Sequence, residues 1–246
     1  MLYIIGFGPG DQKRMTAEAA EALGRAEVIV GYSAYTALLK EYYPEKTYIE
    51  TGMRGEMERC KKAVETALSG KETAVVCSGD AGIYGMAGLV LETMEQMQAV
   101  ERLNVHVVAG VTAAMAGAAL LGAPLGHDLA IISLSDLMTP WEVIEKRLAA
   151  AAEADFCIAL YNPSSRSRKE RFVRACEILR MYLDQETPCG LAHNIGRAGE
   201  VSEIVALKEL PAAEVDMQTV VLIGNSSTRR IGAWMVTPRG YLEKYG

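Results

Sequence analysis

Two glycine-rich loops carry the residue types best suited to binding a ligand. The first spans Gly6–Asp11 (GFGPGD) and the second spans Ser78–Gly85 (SGDAGIYG). Each follows a short apolar run, Leu2–Ile5 or Thr73–Cys77, which predicts that each loop lies where a buried strand ends and the backbone turns sharply. The two loops are therefore expected to form walls of one binding cleft.

The chemistry of these loops favours a nucleoside-like, cationic or neutral ligand over a phosphate. A dinucleotide fingerprint needs a third glycine where Asp11 stands, and Pro9 has no backbone N–H to donate to a pyrophosphate. The chain also contains no run of Gly, four residues and Gly-Lys-Ser/Thr, which a P-loop requires. Asp80 repels phosphate, but its carboxylate can accept hydrogen bonds from ribose hydroxyls.

Length and charge indicate a globular protein with a small-molecule partner. The chain has 246 residues, 50% hydrophobic and 23% charged, which suits one large or two modest domains. A net charge of −6 argues against a nucleic-acid or anionic-membrane surface. The apolar runs are too short for a signal segment or a membrane span, so a cytoplasmic location is expected. Five widely separated cysteines predict buried, reduced thiols.

Alternating strand-like and helix-like segments must position the loops, and they predict an α/β fold. Between Leu121 and Gly126, one proline and two glycines interrupt the pattern, which places a boundary between domain 1–121 and domain 122–246. Both domains are expected to be α/β. The predicted strands are Leu2–Ile5, Glu27–Val30, Thr73–Cys77, Val105–Val108, Leu129–Ser133, Phe156–Leu160, Pro188–Ala192, Glu203–Leu207 and Thr219–Ile223. The predicted helices are Thr16–Gly24, Glu56–Leu68, Gly85–Gln98, Pro140–Ala154 and Lys169–Leu183.

Four further polar or glycine-containing segments are predicted to end strands. They are Gly110–Ala113, Tyr161–Pro163, Ala192–Asn194 and Ile223–Asn225. Ligands of α/β sheets favour the carboxyl ends of strands. Together with the two loops, these segments predict one site in a cleft between the two domains.

The motifs resemble those of the tetrapyrrole methylases, the S-adenosylmethionine-dependent enzymes that modify the corrin precursor. The likeness covers essentially the whole chain and rests on the first loop with Thr16 downstream, on Gly79 and Asp80, and on the turn at Gly110–Ala113. The chain is specifically similar to the ring-contracting, C17-methylating members, which act on precorrin-3B or cobalt-precorrin-3. The motifs do not distinguish these two substrates. This closer similarity lies at residues 78–88, 124–128, 132–136 and 160–165.

The resemblance implies a methyl donor, S-adenosylmethionine, with S-adenosylhomocysteine as product, a tetrapyrrole substrate, a homodimer and no metal. Two of the implied donor-binding residues have structural alternatives, since Asp80 can bond its own turn and Thr112 can cap a helix. Ala81 and Ala109 stand where many members have proline, while Asp80 and the glycines are kept. The residues implied to hold the donor are Pro9, Gly79, Asp80, Ile83, Thr112, Ala113, Tyr161, Ala192 and Ile223.

Ring contraction needs a positioned acid or base, whereas methyl transfer mainly needs alignment. The alternative to a catalytic role is a solvated loop position for Asp136 and a hydrogen-bonded structural role for each histidine. Asp136 is expected to precede a capping box in which Thr139 caps a helix with Pro140 at its first position. The candidates for proton transfer, which the sequence does not rank, are Ser133, Ser135, Asp136, His127 and His193.

An acidic protein that binds a polycarboxylate macrocycle needs local positive charge. Arg166, Arg168 and Arg197 are the candidates, because guanidinium groups pair well with acetate and propionate. Arg171 and Arg174 are interpreted as a solvated helix face. Two alternatives stay open: a methylase acting at another ring position, and a non-catalytic S-adenosylmethionine-binding regulator. A nicotinamide oxidoreductase is disfavoured by the missing third glycine.

Overall fold

A computed structural model describes residues 1–164 and 169–246, which form two compact units, Met1–Ala113 and Ala114–Gly246. Within these described residues, no helix is both long and apolar enough to cross a membrane. The strands are β1 (Leu2–Gly6), β2 (Val28–Tyr32), β3 (Thr47–Thr51), β4 (Thr73–Cys77), β5 (Val105–Val108), β6 (Gly122–Ala123), β7 (Leu129–Ser133), β8 (Cys157–Tyr161), β9 (Pro188–His193), β10 (Val201–Ala206), β11 (Thr219–Ile223), β12 (Arg229–Ile231) and β13 (Trp234–Val236). The α-helices are α1 (Ala17–Arg25), α2 (Ser33–Lys40), α3 (Glu56–Leu68), α4 (Ala87–Gln96), α5 (Ala113–Leu121), α6 (Trp141–Glu153), α7 (Lys169–Leu179) and α8 (Tyr241–Tyr245).

The first unit contains a five-stranded parallel sheet in the order β3-β2-β4-β1-β5. Its interior strands β4 and β1 are buried along their whole length. One apolar core surrounds Ile4 and Val64, and a second surrounds Phe7 and Leu23. Because the strands all run the same way, the chain segments after β1, β4 and β5 emerge at one edge, the carboxyl edge of the first unit.

The second unit contains a mixed sheet in the order β10-β9-β11-β8-β7. β7 and β8 are parallel, while β11 runs antiparallel to both β8 and β9. The carboxyl ends of β7, β8 and β9 therefore share one edge, and the amino end of β11 lies beside them. A core that includes Leu148, Phe172 and Ile223 packs in this unit, and β12, β13 and β6 form a small separate sheet.

The predicted α/β class is confirmed, and all nine predicted strands occur within two residues of their expected bounds. The division of the chain falls eight residues before the predicted boundary, at 113 rather than 121. The reason is that α5 packs on the second sheet. A Cβ on Gly117 would lie 2.8 Å from Val220 Cγ1 and 3.2 Å from Ala192 Cβ, so the helix approaches closely only with glycine there.

The predicted capping box before α6 is wrong. The helix begins at Trp141, Pro140 occupies the N-cap position, and no side chain makes a capping hydrogen bond there. The capping role predicted for Thr16 is confirmed, because Thr16 Oγ1 accepts a hydrogen bond from Ala19 N at 3.1 Å.

The five cysteines are buried and free, as the sequence predicts, and this makes stability sensitive to alkaline pH. Burial raises the pKa of Cys60 and Cys77 to about 11 and that of Cys176 to about 12. Above about pH 8.5, an unfolded chain loses thiol protons that the folded chain retains. We therefore expect the free energy of unfolding to fall as the pH rises from about 8.5 toward 11.

Urea unfolding between pH 7 and 10.5 measures this fall. A thiol-labelling titration should show unreactive cysteines in the native protein and five reactive ones after unfolding. Labelling of native cysteines at neutral pH would contradict the expectation.

Candidate functional site

The first two glycine loops pair with each other at the carboxyl edge of the first unit. Gly79 N donates to Gly8 O at 2.7 Å, and Gly8 N donates to Gly79 O at 3.0 Å. The φ angles of Gly8 and Gly79 are +85° and +72°, in the left-handed region that favours glycine. The two loops are therefore in direct contact, as the sequence predicts.

The third turn, after β5, closes onto both loops. A Cβ on Gly110 would lie 2.1 Å from Gly79 O and 2.4 Å from Gly6 O, so the three backbones meet at a separation that only glycine allows. Thr16 also joins this arrangement, because its Oγ1 donates to Ala109 O at 3.3 Å. Three strand ends are thus held together by main-chain contacts, which gives a rigid surface for a ligand.

Asp80 is the polar centre of this arrangement. Its Oδ1 accepts hydrogen bonds from Gly82 N at 2.8 Å and Ile83 N at 3.0 Å, and its Oδ2 accepts from Gly110 N at 2.9 Å. The structural alternative for Asp80, a bond to its own turn, is thus present in the structure. A carboxylate has about four acceptor positions, so these three bonds leave capacity for a ligand hydroxyl or ammonium group.

The surface beside Asp80 suits a nucleoside with an apolar face. Ile83 and Tyr84 are 38% and 56% exposed, so they present a small apolar surface beside Asp80. A Cβ on Gly79 would make ordinary van der Waals contact with Thr112 Cα at 3.8 Å, so the third turn lies directly beside the second loop there. Two other residues predicted to hold the ligand, Pro9 in the first loop and Thr112 in the third turn, are buried.

The family resemblance implies that removal of the Asp80 carboxylate weakens binding of S-adenosylhomocysteine by about 10- to 150-fold, equivalent to about 1.5–3 kcal/mol for lost charge-assisted hydrogen bonds. The variant is Asp80→Ala, and the measurement is titration calorimetry. Glu21→Ala is the control, since the Glu21 carboxylate pairs with Arg25 in α1 and lies outside the glycine loops. Equal affinities of the wild type and a folded Asp80→Ala variant would remove Asp80 from the site.

In the second unit, Tyr161 ends β8 and reaches the start of α5. Its hydroxyl accepts a hydrogen bond from Ala114 N at 2.8 Å, which satisfies one of the free N–H groups of the helix N-terminus. Ala192 lies one residue before the end of β9, is fully buried, and faces α5 near Gly117. Its backbone lies in the sheet between β10 and β11, so the structure shows no exposed face of Ala192 for ligand contact.

Ile223 lies at the opposite edge of this sheet from Tyr161 and Ala192, the other two residues of the second unit that are predicted to contact the donor. It pairs with Ile158 and Cys189, at the amino ends of β8 and β9, because β11 is antiparallel to both. Its side chain is fully buried in the apolar core. The expectation that the end of β11 joins the ends of β8 and β9 is wrong for this reason, and Thr219 occupies that edge instead.

Ser133, Ser135 and Asp136 follow β7 at the same edge as Tyr161. Ser133 Oγ accepts hydrogen bonds from Asn162 Nδ2 at 2.9 Å and from Ser135 N at 3.2 Å. Leu134, between the two serines, is 1% exposed and belongs to the apolar core. Leu134 therefore points into the core, while Ser133 and Ser135 on either side of it are only half-buried.

Asp136 is paired with an arginine that the sequence reading left on a solvated face. Arg171 Nη2 lies 3.3 Å from Asp136 Oδ2, and its guanidinium carbon lies 4.6 Å from the centre of the Trp141 ring. The arginine, stacked on the Trp141 ring, holds the Asp136 carboxylate in a defined place. No local pattern in the sequence links Asp136, Trp141 and Arg171, which come from three separate segments.

The other candidates for proton transfer lie elsewhere in the second unit. His193 ends β9, and its Nδ1 lies 3.2 Å from both Asp216 Oδ1 and Thr219 Oγ1. All three residues line a cavity of about 840 Å³. His127 is exposed before the amino end of β7, six residues from Ser133 or about 20 Å along an extended chain. The structure does not bring His127 together with the others.

Of the three predicted substrate arginines, Arg166 and Arg168 lie outside the described residues. Arg197 is half-buried in the turn after β9, where its backbone N–H donates to Asn194 O at 2.9 Å. Asp216 is a further polar residue at this edge that the sequence reading missed. Its Oδ1 accepts from Gln218 N at 2.8 Å and Thr219 Oγ1 at 3.0 Å, a local Asp-x-x-Thr pattern that could have indicated it.

The chain has two α/β units, and glycine-rich turns meet at the strand ends of the first, an architecture shared with a known class of protein. The family model of tetrapyrrole (corrin/porphyrin) methylases matches residues 1–211, and the chain belongs to this family. A probable cobalt-factor III C(17)-methyltransferase of Salmonella typhimurium is 48% identical over 241 residues, which is 98% of this chain and 99% of the relative.

Two further proteins show the same similarity in sequence and in structure. A precorrin-3B C(17)-methyltransferase of Sinorhizobium sp is 41% identical, with 93% of this chain and 90% of the relative covered. The crystal structure of the methyltransferase CobJ superimposes with a TM-score of 0.90 and 39% identity over 96% of this chain and 99% of that chain. The predicted family is therefore confirmed.

Proposed function

We propose that this protein transfers a methyl group from S-adenosylmethionine to C17 of precorrin-3B or of its cobalt-containing counterpart, with contraction of the macrocycle. The observation that carries the proposal is the 48% identity to a C(17)-methyltransferase over nearly the full length of both chains. S-adenosylmethionine is the methyl donor of the tetrapyrrole methylases, and no dinucleotide fingerprint competes for the glycine loops.

When bound, the donor supplies an electrophilic methyl group on a sulfonium sulfur. The task of the protein is then to hold the donor so that a ring carbon can approach that methyl group to roughly 3–3.5 Å. We assign the rigid part of this task to the joined loops, with Gly79 and the Asp80 carboxylate beside the donor and Ile83 against its apolar face. The backbone contacts between Gly8, Gly79 and Gly110 keep this surface in place without side-chain reorganisation.

Ring contraction needs protons to be gained and lost while the carbon skeleton rearranges. We assign this task to the polar group at the end of β7, where Ser133 bonds to Asn162 and Asp136 pairs with Arg171. His193, oriented by Asp216 and open to the 840 Å³ cavity, is the second candidate. Each pair combines a titratable or hydroxyl group with a neighbour that fixes its orientation, which proton transfer requires.

The cobalt-containing substrate is the one that the relatives favour. Relatives named as acting on cobalt-factor III reach 48%, 44% and 42% identity, and the relative named for precorrin-3B reaches 41%. The difference is small, so both substrates belong in the test. We also propose a homodimer and a cytoplasmic location, as the family resemblance implies, and light scattering after gel filtration tests the dimer.

The deciding experiment incubates the purified protein with methyl-labelled S-adenosylmethionine and each of the two precursors. Mass and absorbance analysis of the products then reports methylation and contraction separately. Label transfer to C17 of either precursor supports the proposal. Label transfer to another ring position identifies a different methylase, and donor binding without any transfer identifies a regulator.

A further inference from the structure

Arg59 is a buried charge of the first unit without an ionic partner among the described residues. It lies in the first turns of α3 and is 4% exposed, and among the described residues it is the one charged side chain classed with the buried polar groups. An arginine is rarely buried without an ionic partner, because removal of its charge from water is unfavourable unless other groups compensate.

The partners of Arg59 in the described part of the chain are all uncharged. Nε donates to Thr51 Oγ1 at 2.9 Å, Nη2 donates to Gly52 O at 3.2 Å, and Nη1 makes a weak contact with Met86 Sδ at 3.7 Å. No carboxylate in residues 1–164 or 169–246 lies within ion-pair distance of this guanidinium. The neighbouring acid Glu58 is instead paired with Lys62 at 2.6 Å.

The charge of Arg59 also acts on its surroundings. Burial raises the pKa of the Cys77 thiol to about 11, and the Arg59 charge opposes that effect. The guanidinium has five N–H donors, of which three have partners and one of those partners is only a thioether sulfur. The positive charge of Arg59 therefore has no anionic partner among the described residues, and two of its five N–H groups have no hydrogen-bond partner there.

Arg59 lies at the same edge of the first sheet as the glycine loops. Thr51 and Tyr32 are the last residues of β3 and β2, and the Tyr32 ring lies 6.0 Å from the guanidinium carbon. Met86 follows the second glycine loop directly. The strands are parallel, so this cation lies along the same carboxyl edge as Asp80 and Gly110. An anion that reaches this edge meets a charge that water and salt screen only weakly.

We infer that Arg59 is a substrate-positioning residue that receives a carboxylate of the macrocycle. This inference rests on the proposed function, because a tetrapyrrole with acetate and propionate side chains supplies the missing anion. A carboxylate accepts two parallel N–H bonds from a guanidinium, which matches the donors that Arg59 has left. The residue thereby selects a polycarboxylate over an uncharged ring.

The test compares Arg59→Met, which keeps the side-chain length without charge, with Arg59→Lys, which keeps the charge without the fork. Each precursor absorbs visible light, so its dissociation constant can be titrated by absorbance on protein saturated with S-adenosylhomocysteine. We expect Arg59→Met to weaken precursor binding by roughly 10- to 100-fold and Arg59→Lys to weaken it less, with the calorimetric affinity for S-adenosylhomocysteine unchanged. The control Arg174→Met removes an exposed arginine that pairs with Glu145 and should change neither affinity.

Measurements of precursor binding and of methyl transfer distinguish a failure of the proposed function from a failure of the inference on Arg59. If the wild type binds a precursor but does not methylate C17, the proposed function fails while the role of Arg59 is still measured. If Arg59→Met binds the precursor as tightly as the wild type, the inference is wrong and the proposed function stands. A loss of both affinities together with a lowered melting temperature, all restored by Arg59→Lys, assigns Arg59 to the structure of the Thr51–Gly55 turn and also overturns the inference.

Discussion

Gly110→Ala is expected to reduce the affinity for S-adenosylhomocysteine by more than about 100-fold and to lower the melting temperature. The added methyl group would lie 2.1 Å from Gly79 O and 2.4 Å from Gly6 O, and both contacts are with backbone that cannot rotate away. Overpacking of this kind typically costs about 1–3 kcal/mol and sometimes more. The clash forces apart three turns whose convergence we propose as the donor site, so binding should suffer more than stability.

Gly88→Ala provides the control. Gly88 is in α4 of the same unit, and a Cβ there meets nothing within 4 Å, so alanine should leave the site unchanged and stabilise the helix by about 0.5–1 kcal/mol. Calorimetry with S-adenosylhomocysteine and thermal melting compare both variants with the wild type. Wild-type affinity and melting temperature in Gly110→Ala would mean that the three turns need not converge for the donor to bind.

The parts of the fold that could be predicted from sequence are those with a local signal. Strands such as Thr73–Cys77 are apolar runs bounded by glycine, and they occur as predicted. β3 (Thr47–Thr51) and α2 (Ser33–Lys40) were missed. β3 is a half-exposed edge strand whose polar residues mask its pattern, and α2 begins without a side-chain cap. The direction of β11 has no local signal either, which is why Ile223 was expected at the wrong edge.

The residues of the candidate site also fall into those that a local sequence signal predicts and those that it does not. The glycine loops and Asp80 could be found because glycine and aspartate at strand ends have a local conformational meaning. The pairs Asp136–Arg171 and His193–Asp216 could not, because their members are separated by 35 and 23 residues and meet only after the sheet forms. Arg59 is a third such case, since a charged residue in an amphipathic helix reads as solvent-facing until its burial is known.

Loss of the Asp136 carboxylate is expected to slow ring contraction by roughly 10²- to 10⁴-fold, the usual scale for general acid–base catalysis, while methyl transfer slows much less. Alkylation at C17 needs alignment of two carbons, and Asp136 contributes to that only through its position. Skeletal rearrangement needs a group that gains or loses a proton, and the carboxylate held by Arg171 is placed to serve. Asp136→Asn keeps the shape of the side chain and removes the carboxyl group that could exchange a proton.

The measurement is product mass and absorbance under single-turnover conditions, with the methylated but uncontracted macrocycle as the diagnostic species. Glu145→Gln is the matched control, because Glu145 forms an equivalent ion pair with Arg174 of α7 at 2.8 Å, and its loss should leave both steps unchanged. Ser133→Ala and Ser135→Ala extend the series to the hydroxyls beside Asp136. If all three site variants lose methylation and contraction in equal proportion, the Ser133–Asp136 segment positions the substrate for both steps and proton transfer belongs to another group, for which His193 with Asp216 is the next to be tested.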